Sequence, residues 1–377
     1  MSGDYSRIRF DPRTDIASVW MQQGRVQLDS DWNEGMAALD RRLRAESVDT
    51  FGVQPVPGMR GVAVVSPQTP DAFKIEAAGG DMTIGRGRMY VDGLLAENHG
   101  GGAVEFDAVL AELRGQTALA YQQQPYFSAP PALPGGGPHL VYLEVWSREL
   151  TYLQRPEIVE NAVGVDTTTR WQTVWQVRLL GNVGSVDCTT PDGQFPAWQA
   201  LTQSSGGRLS IKAEGVPPDL DPCELPPSGG YRGLENQLYR IEIHDGGAVG
   251  AATFKWSRDN ASVASPVVEI VSQTAAGTEL KLASLGRDAV LRFNTGDWVE
   301  ILDDRRELNG ENGDPVLRRG VMRQITVDNA RQTVQFSPAL PADLIPAGGD
   351  DTLAARHTRV RRWDQQGTVR DVDGNVI

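Results

Sequence analysis

Cysteine is almost missing from this chain: Cys188 and Cys223 are the two in 377 residues. Two thiols do not make a disulfide framework. They flank a Pro/Gly-rich segment and form a candidate disulfide, but spacing alone does not bring two cysteines together. Reduced thiols are the ordinary state of a cytosolic product. In oxidising surroundings a bridge closing a loop of about 36 residues would stabilise by roughly 3–4 kcal/mol. Lysine is also scarce, at 74, 212, 255 and 281, so nearly all of the 36 basic residues are Arg. Arg suits planar, bidentate pairing at interfaces, and a compositional bias of the genome explains the count equally well. The four histidines, at 99, 139, 244 and 357, are isolated. No pair has the spacing of a metal site, and a zinc site from the two cysteines and distant histidines has no signature. We expect no metal and no cofactor. No apolar run approaches the roughly 20 residues that span a bilayer, which excludes direct membrane insertion. The opening Met1-Ser-Gly-Asp-Tyr-Ser-Arg7 has no hydrophobic segment and is no signal peptide. Synthesis in the cytoplasm is expected, with any release by another route. Positive charge is in deficit, 36 basic against 49 acidic residues and a net charge of −13. That balance argues against nucleic acid or anionic lipid as a partner.

A chain of this length holds two or three domains with real cores. Its 40% apolar and 23% charged residues are those of a globular protein. The stretch Met21–Phe51 stands out. Val26 and Leu28 alternate with polar residues, as in a short half-buried strand. Asp31 then suits a helix N-cap, with Glu34 three residues later completing a capping box. Trp32, Met36, Leu39 and Leu43 follow at helical period. Two readings stay open: a docking element for a neighbour, with Met21, Arg25, Trp32 and Met36 as interface candidates, or an element covering the apolar face of residues 62–95 in its own chain. Met and aromatic residues are enriched at interface cores, and Arg25 can pair bidentately.

The remainder reads as mainly β: after the short N-terminal helix come two antiparallel β units, small barrels or sandwiches, joined by Pro/Gly-rich loops. The expected divisions are 1–52 for the strand–helix docking segment and 53–180 for the first β domain. An irregular Pro/Gly-rich connector occupies 181–235. A second β domain spans 236–345, and 346–377 is a C-terminal segment, truncated or completed by a partner. In the first unit, alternation marks Val62/Val64, Phe73/Ile75, Met82/Ile84 and Met89/Val91, with glycine turns between them. Phe106–Leu119 has helical spacing. Leu140–Trp146, apolar on both faces, reads as a central strand with Trp171–Leu180 as companion. In the second unit strands are expected at Leu238–His244, Thr253–Ser257, Val267–Val271, Glu279–Leu282, Trp298–Leu302, Val321–Val327 and Thr333–Phe336. The last two join through the Asp328–Arg331 turn, and a further strand at Thr368–Arg370 looks like half a hairpin. No repeat of solenoid period is visible.

No catalytic set emerges. His99-Gly100-Gly101-Gly102 matches an esterase oxyanion loop, but the chain has no Gly-x-Ser-x-Gly to supply a nucleophile. Asp371-Val-Asp-Gly-Asn375 begins like a calcium loop and lacks its glycine and final Glu; an Asp-Gly turn explains it better. A glycosidase needs paired carboxylates in an aromatic cleft. Glu144 and Asp303 are the acids to test, with Trp146, Tyr152, Trp171 and Trp175 nearby in sequence to the first. Aromatics in strands are far more often core.

Several strings resemble a family of bacterial proteins of unassigned function associated with phage-tail-like contractile injection systems. They are Met1–Arg7, Met21-Gln-Gln-Gly-Arg-Val-Gln-Leu-Asp-Ser-Asp-Trp-Asn-Glu34, Tyr142-Leu-Glu-Val-Trp-Ser-Arg148, Asp166–Arg170, Trp175–Arg178, Gly233–Arg240, Phe254–Asn260, Gly296–Glu300 and Arg361–Asp364. The resemblance covers most of the chain and implies a non-enzymatic structural or adaptor role at the baseplate or tail fibre. It implies other baseplate or tail proteins as partners, within a particle released from the cell. It brings no catalytic residues. Symmetric assembly of such parts favours a homo-oligomer, with a trimer expected. The rival classes are a carbohydrate-active or receptor-binding tail spike and an injected cargo.

Overall fold

The structure, a computed structural model, describes residues 2–51, 63–109, 112–115, 117–187, 189–209, 238–364 and 375–376. Cys188 and Cys223, residues 52–62 around the expected start of the first β domain, the strand expected at Thr368–Arg370 and residues 371–374 lie outside them. With 34% of the described residues in strands and 17% in helix, the protein is mainly β, as the alternation implied.

The N-terminal helix, α1 (Asp29–Phe51), runs 23 residues, about 35 Å at 1.5 Å per residue. It starts two residues before the expected cap. Asp31 is therefore its third residue, and its carboxylate reaches back to accept from the Leu28 N–H at 3.3 Å, half of a capping box. Residues 25–28 are not a strand: they are exposed coil with Val26 83% accessible.

The first unit contains β1 (Ala63–Val65), β2 (Ile75–Ala78), β3 (Asp81–Ile84), β4 (Gly87–Val91) and β5 (Leu94–Asn98). Where a helix was expected over 106–119, the chain forms β6 (Glu105–Asp107), β7 (Glu112–Arg114) and β8 (Leu119–Ala120). The reason is local. A side chain at Gly115 would strike the His99 carbonyl, 1.3 Å from where its Cβ would sit, and Val109 is 91% exposed, so the apolar spacing there faces no core. Two three-stranded sheets result, β1-β4-β5 and β2-β3-β8.

Across them lies a ribbon of β9 (Leu140–Leu150) and, after the small hairpin β10 (Val159–Glu160) and β11 (Val165–Asp166), β12 (Arg170–Leu180). All eleven residues of β9 and β12 pair, from Leu140↔Leu180 to Leu150↔Arg170. The ribbon has two strands, so β9 is not central in a sheet. Both of its sides are nevertheless covered, one by an apolar core and one by polar contacts. Val141, Val145, Trp175 and Val177 join the first core, where the Trp175 ring meets Phe73 edge-on at 5.0 Å. The alternate residues Glu144, Gln176 and Arg178 face the second unit.

After α2 (Pro196–Thr202) the second unit comprises β13 (Arg240–Asp245), β14 (Thr253–Ser257), β15 (Ala264–Thr274), β16 (Gly277–Leu282), β17 (Trp298–Leu302), the short helix α3 (Asp304–Asn309), β18 (Val321–Gln324), β19 (Thr326–Asp328), β20 (Thr333–Phe336) and β21 (Arg359–Trp363). Seven strands form one antiparallel sheet in the order β18-β17-β21-β15-β16-β20-β19. Its two ends, β18 and β19, are separated in sequence by Ile325 alone, so the sheet curls into a nearly closed barrel. That break also explains why the strand expected over 321–327 is two: Ile325 is buried and donates its N–H to Asp297. Register shifts along β15 let its start pair with β21 and the rest with β16. The barrel interior holds Leu280, Val299, Ile301, Val334 and Val360, each fully buried. The segment after 345 thus supplies β21, between β17 and β15 at the middle of this sheet.

Candidate functional site

Two features stand outside ordinary core packing: the N-terminal arm with α1, and a charged seam along the outer face of the barrel. The arm is pinned at its start. The Glu149 carboxylate, at the end of β9, accepts from the backbone N–H of Ser2 and of Gly3 (3.2 Å) and from the Tyr5 hydroxyl. Tyr5 is also 2.6 Å from Thr169, and burial with the neighbouring Glu149 carboxylate pushes its phenol pKa up. From the second unit, Asn260 donates to the Gly3 carbonyl at 2.8 Å. The arm then ties to the helix: Asp29 accepts from the Ser6 N–H and hydroxyl (3.0 and 2.6 Å), and Arg9 pairs with Asp31 at 2.9 Å. The two N-terminal strings are therefore one interlocked unit.

The helix meets its own chain through small residues. Ser30 and Ala38 are its buried positions, Gly35 packs on Val19, and Gly93 closes on the Arg44 backbone. At 100° per residue, Trp32, Met36, Leu39 and Leu43 fall within one narrow arc opposite Ala38. All four face solvent, 62%, 49%, 48% and 55% exposed. On the arm, Trp20, Met21 and Val26 are exposed too, as is Arg25. The stripe does not cover residues 62–95. This is more apolar surface than scattered single residues explain.

In the seam, the barrel's outer face carries buried charge. On β21, Val360 points inward while Arg359 and Arg361 point outward, yet both arginines are nearly inaccessible. Arg359 pairs with Asp304 at 2.9 Å and with Glu307. Asp304 also contacts His357 (2.9 Å) and Arg148 (3.5 Å). Burial alone would raise its pKa, but these partners pull it down to about 2. Lys255 of β14 reaches Glu300 of β17 at 2.6 Å, with Glu242 at 3.3 Å. Glu300 further accepts from the Gly320 N–H (2.9 Å) and the Trp363 indole (3.1 Å). Burial again opposes ionisation, and Lys255 and Arg361 overcome it, holding Glu300 at about 2. Arg148–Asp304 reaches across to the ribbon, while the other pairs join elements of the second unit; all are expensive to desolvate.

The residues weighed for catalysis are engaged otherwise. Glu144 is held bidentately by Arg318 (2.6 and 2.8 Å). Asp303 is fully buried, caps α3 through the Arg306 N–H at 2.8 Å and pairs with Arg356. Trp175 is core, whereas Trp146 lies under the Arg318 guanidinium. In the His99–Gly102 loop, Gly100 and Gly102 have positive φ and Gly101 bridges Thr117, a backbone role. Among the described residues no group of His, Cys, Asp or Glu is arranged to hold a metal, and no helix is long and apolar enough to cross a membrane. Sequence reasoning missed Tyr5, Lys255, Glu300 and Arg361. The motif strings containing most of them were the available signal, but strings do not state contacts.

One protein family, described as a family of unknown function (DUF6519), matches residues 1–190 and 199–377, and the chain belongs to it. No curated protein and no solved structure matches the chain.

Proposed function

From the resemblance of the sequence strings and the geometry above, we propose that the protein is a non-enzymatic adaptor of a phage-tail-like contractile injection particle. It stands at the baseplate or tail-fibre attachment, as a homo-oligomer with a trimer favoured. The observation that carries the reading is the outward stripe of α1. A helix that meets its own chain through Ser30, Gly35 and Ala38, and shows Trp32, Met36, Leu39 and Leu43 to solvent, is built for a second surface. Its occupant is a tail or baseplate protein offering an apolar groove with a mixed-charge rim, matching Asp40 and Arg42, which flank the stripe at 100° per residue. Completing the burial of a half-exposed aliphatic side chain contributes roughly 1–1.5 kcal/mol, and Trp32 more. That suits an interface of ordinary size once association costs are subtracted. The pinned start, at Glu149 and Asn260, holds the arm ready so that little ordering is needed on docking.

The test is the pair Trp32→Glu/Met36→Glu in cells that assemble the particle. Both positions are exposed, so the purified variant should melt as the wild type does. Particles should then sediment without it. A variant that still sediments with sheath and baseplate proteins would overturn the reading. Binding on glycan arrays, or release of reducing sugar that disappears on Glu144 or Asp303 substitution, would instead favour a tail spike. Recovery from the tube lumen would indicate cargo.

A further inference from the structure

Where the N-terminal arm, the β9–β12 ribbon and the barrel meet there is a cavity of about 210 Å³. Three arginines line it, Arg148, Arg240 and Arg361, together with Glu149, Glu307 and Trp171. The two carboxylates are already committed. Glu149 holds the Ser2 and Gly3 N–H groups and Tyr5, and Glu307 holds Arg359. Arg148 uses its Nε on Gln172 at 2.9 Å, and Arg240 pairs with Glu242.

Arg361 is different. It is 7% exposed, and its Nε is buried with no hydrogen-bond partner among the described residues. Its cross-strand neighbour Glu300 is taken by Lys255, Gly320 and Trp363. Burial and the adjacent Arg240 lower its pKa to about 10, which still leaves the guanidinium charged at neutral pH. A buried cation without a bonded counter-charge costs several kcal/mol in ordinary cores, and a guanidinium cannot escape by losing its proton there.

We propose that this cavity is an oxyanion-binding site, in which Arg361 supplies the principal contact and Arg148 and Arg240 the surrounding positive field. The fork of Arg361 matches a phosphate, a sulfate or a carboxylate bidentately. The space holds several water molecules, and so an oxyanion of four or five heavy atoms with part of its hydration. Trp171, 60% exposed, stands at the rim and leaves the ligand a way in. None of the residues lining this site belongs to the docking stripe.

The experiment is a thermal melt of the full chain titrated separately with sodium phosphate, sulfate and acetate, with chloride at matched ionic strength as control. The wild type should show a saturable rise in melting temperature with at least one oxyanion and none with chloride. Phosphate and sulfate against acetate separates an inorganic from a carboxylate ligand. Arg361→Met should weaken that response at least tenfold relative to its own anion-free melt, which loses the help Arg361 gives the Glu300 carboxylate. Should Arg361→Met fail to fold, Arg148→Gln decides, with a weakened response expected. A wild-type response identical in all four salts, or one retained in full by the variant that decides, would overturn the assignment.

Discussion

Replacing Glu300 by Gln tests whether the seam is held by charge or merely by shape. The side chain keeps its size and a carbonyl acceptor for the Gly320 N–H or the Trp363 indole, but Lys255 loses its 2.6 Å counter-ion in a site where both residues are at least nine-tenths buried. The folded pKa of Glu300, about 2 against an ordinary 4.5, corresponds to roughly 3 kcal/mol of stability at neutral pH. Removing one partner of a buried pair elsewhere costs a similar 3–5 kcal/mol. Because the folded pKa is depressed, the contribution is fully present above about 4.5 and is lost as the pH falls towards 2. Urea unfolding followed by tryptophan fluorescence, at a series of pH values, measures it. Glu300→Gln should lose roughly 3 kcal/mol at pH 7, about 10 °C in melting temperature for a unit of this size. The difference from wild type should shrink between pH 4.5 and 2. The double variant Lys255→Met/Glu300→Gln, which removes both charges, should recover most of the loss. A single variant within about 0.5 kcal/mol of wild type, or a double variant no better than the single, refutes the reasoning.

Glu149→Gln removes the charge that gathers Ser2, Gly3 and Tyr5, and limited proteolysis should cut the arm before Asp29 faster while the barrel melt is little changed. Asp303→Ala removes the α3 cap and one carboxylate of Arg356; a loss of roughly 2–4 kcal/mol by urea unfolding is expected. Gly115→Ala places a Cβ on the His99 carbonyl, and the product should be recovered as aggregate, whereas Gly184→Ala, open to solvent but at positive φ, should stay soluble with a modest loss.

Much of the β pattern was legible because alternation survives where one face of a strand meets a core. Thr253–Ser257, Trp298–Leu302 and Thr333–Phe336 appear with the expected limits, and the β9–β12 pairing follows from two matched apolar runs. The β21 strand was not legible. Arg359, Arg361 and Arg362 interrupt its apolar pattern, and the partners of Arg359 and Arg362, namely Asp304, Glu307 and Asp259, lie more than fifty residues away in sequence. The helix expected over 106–119 failed for a related reason: spacing shows periodicity, not the backbone that Gly115 must approach. The stripe of α1 was visible as Trp32, Met36, Leu39 and Leu43. Which way it faces depended on Ser30, Gly35 and Ala38, whose small size is what lets the helix lie against its own chain with that side inward.

The docking of α1 is best tested by a photo-crosslinking amino acid placed at Met36, on the exposed stripe, and in parallel at Ala38, on the buried face. Irradiation is carried out in cells assembling the particle, and adducts are identified by mass spectrometry. The account predicts that the probe at Met36 joins the chain to a baseplate or tail protein of the same particle and that the probe at Ala38 does not. Adducts from Met36 confined to its own chain, or the same adducts from both positions, would contradict it.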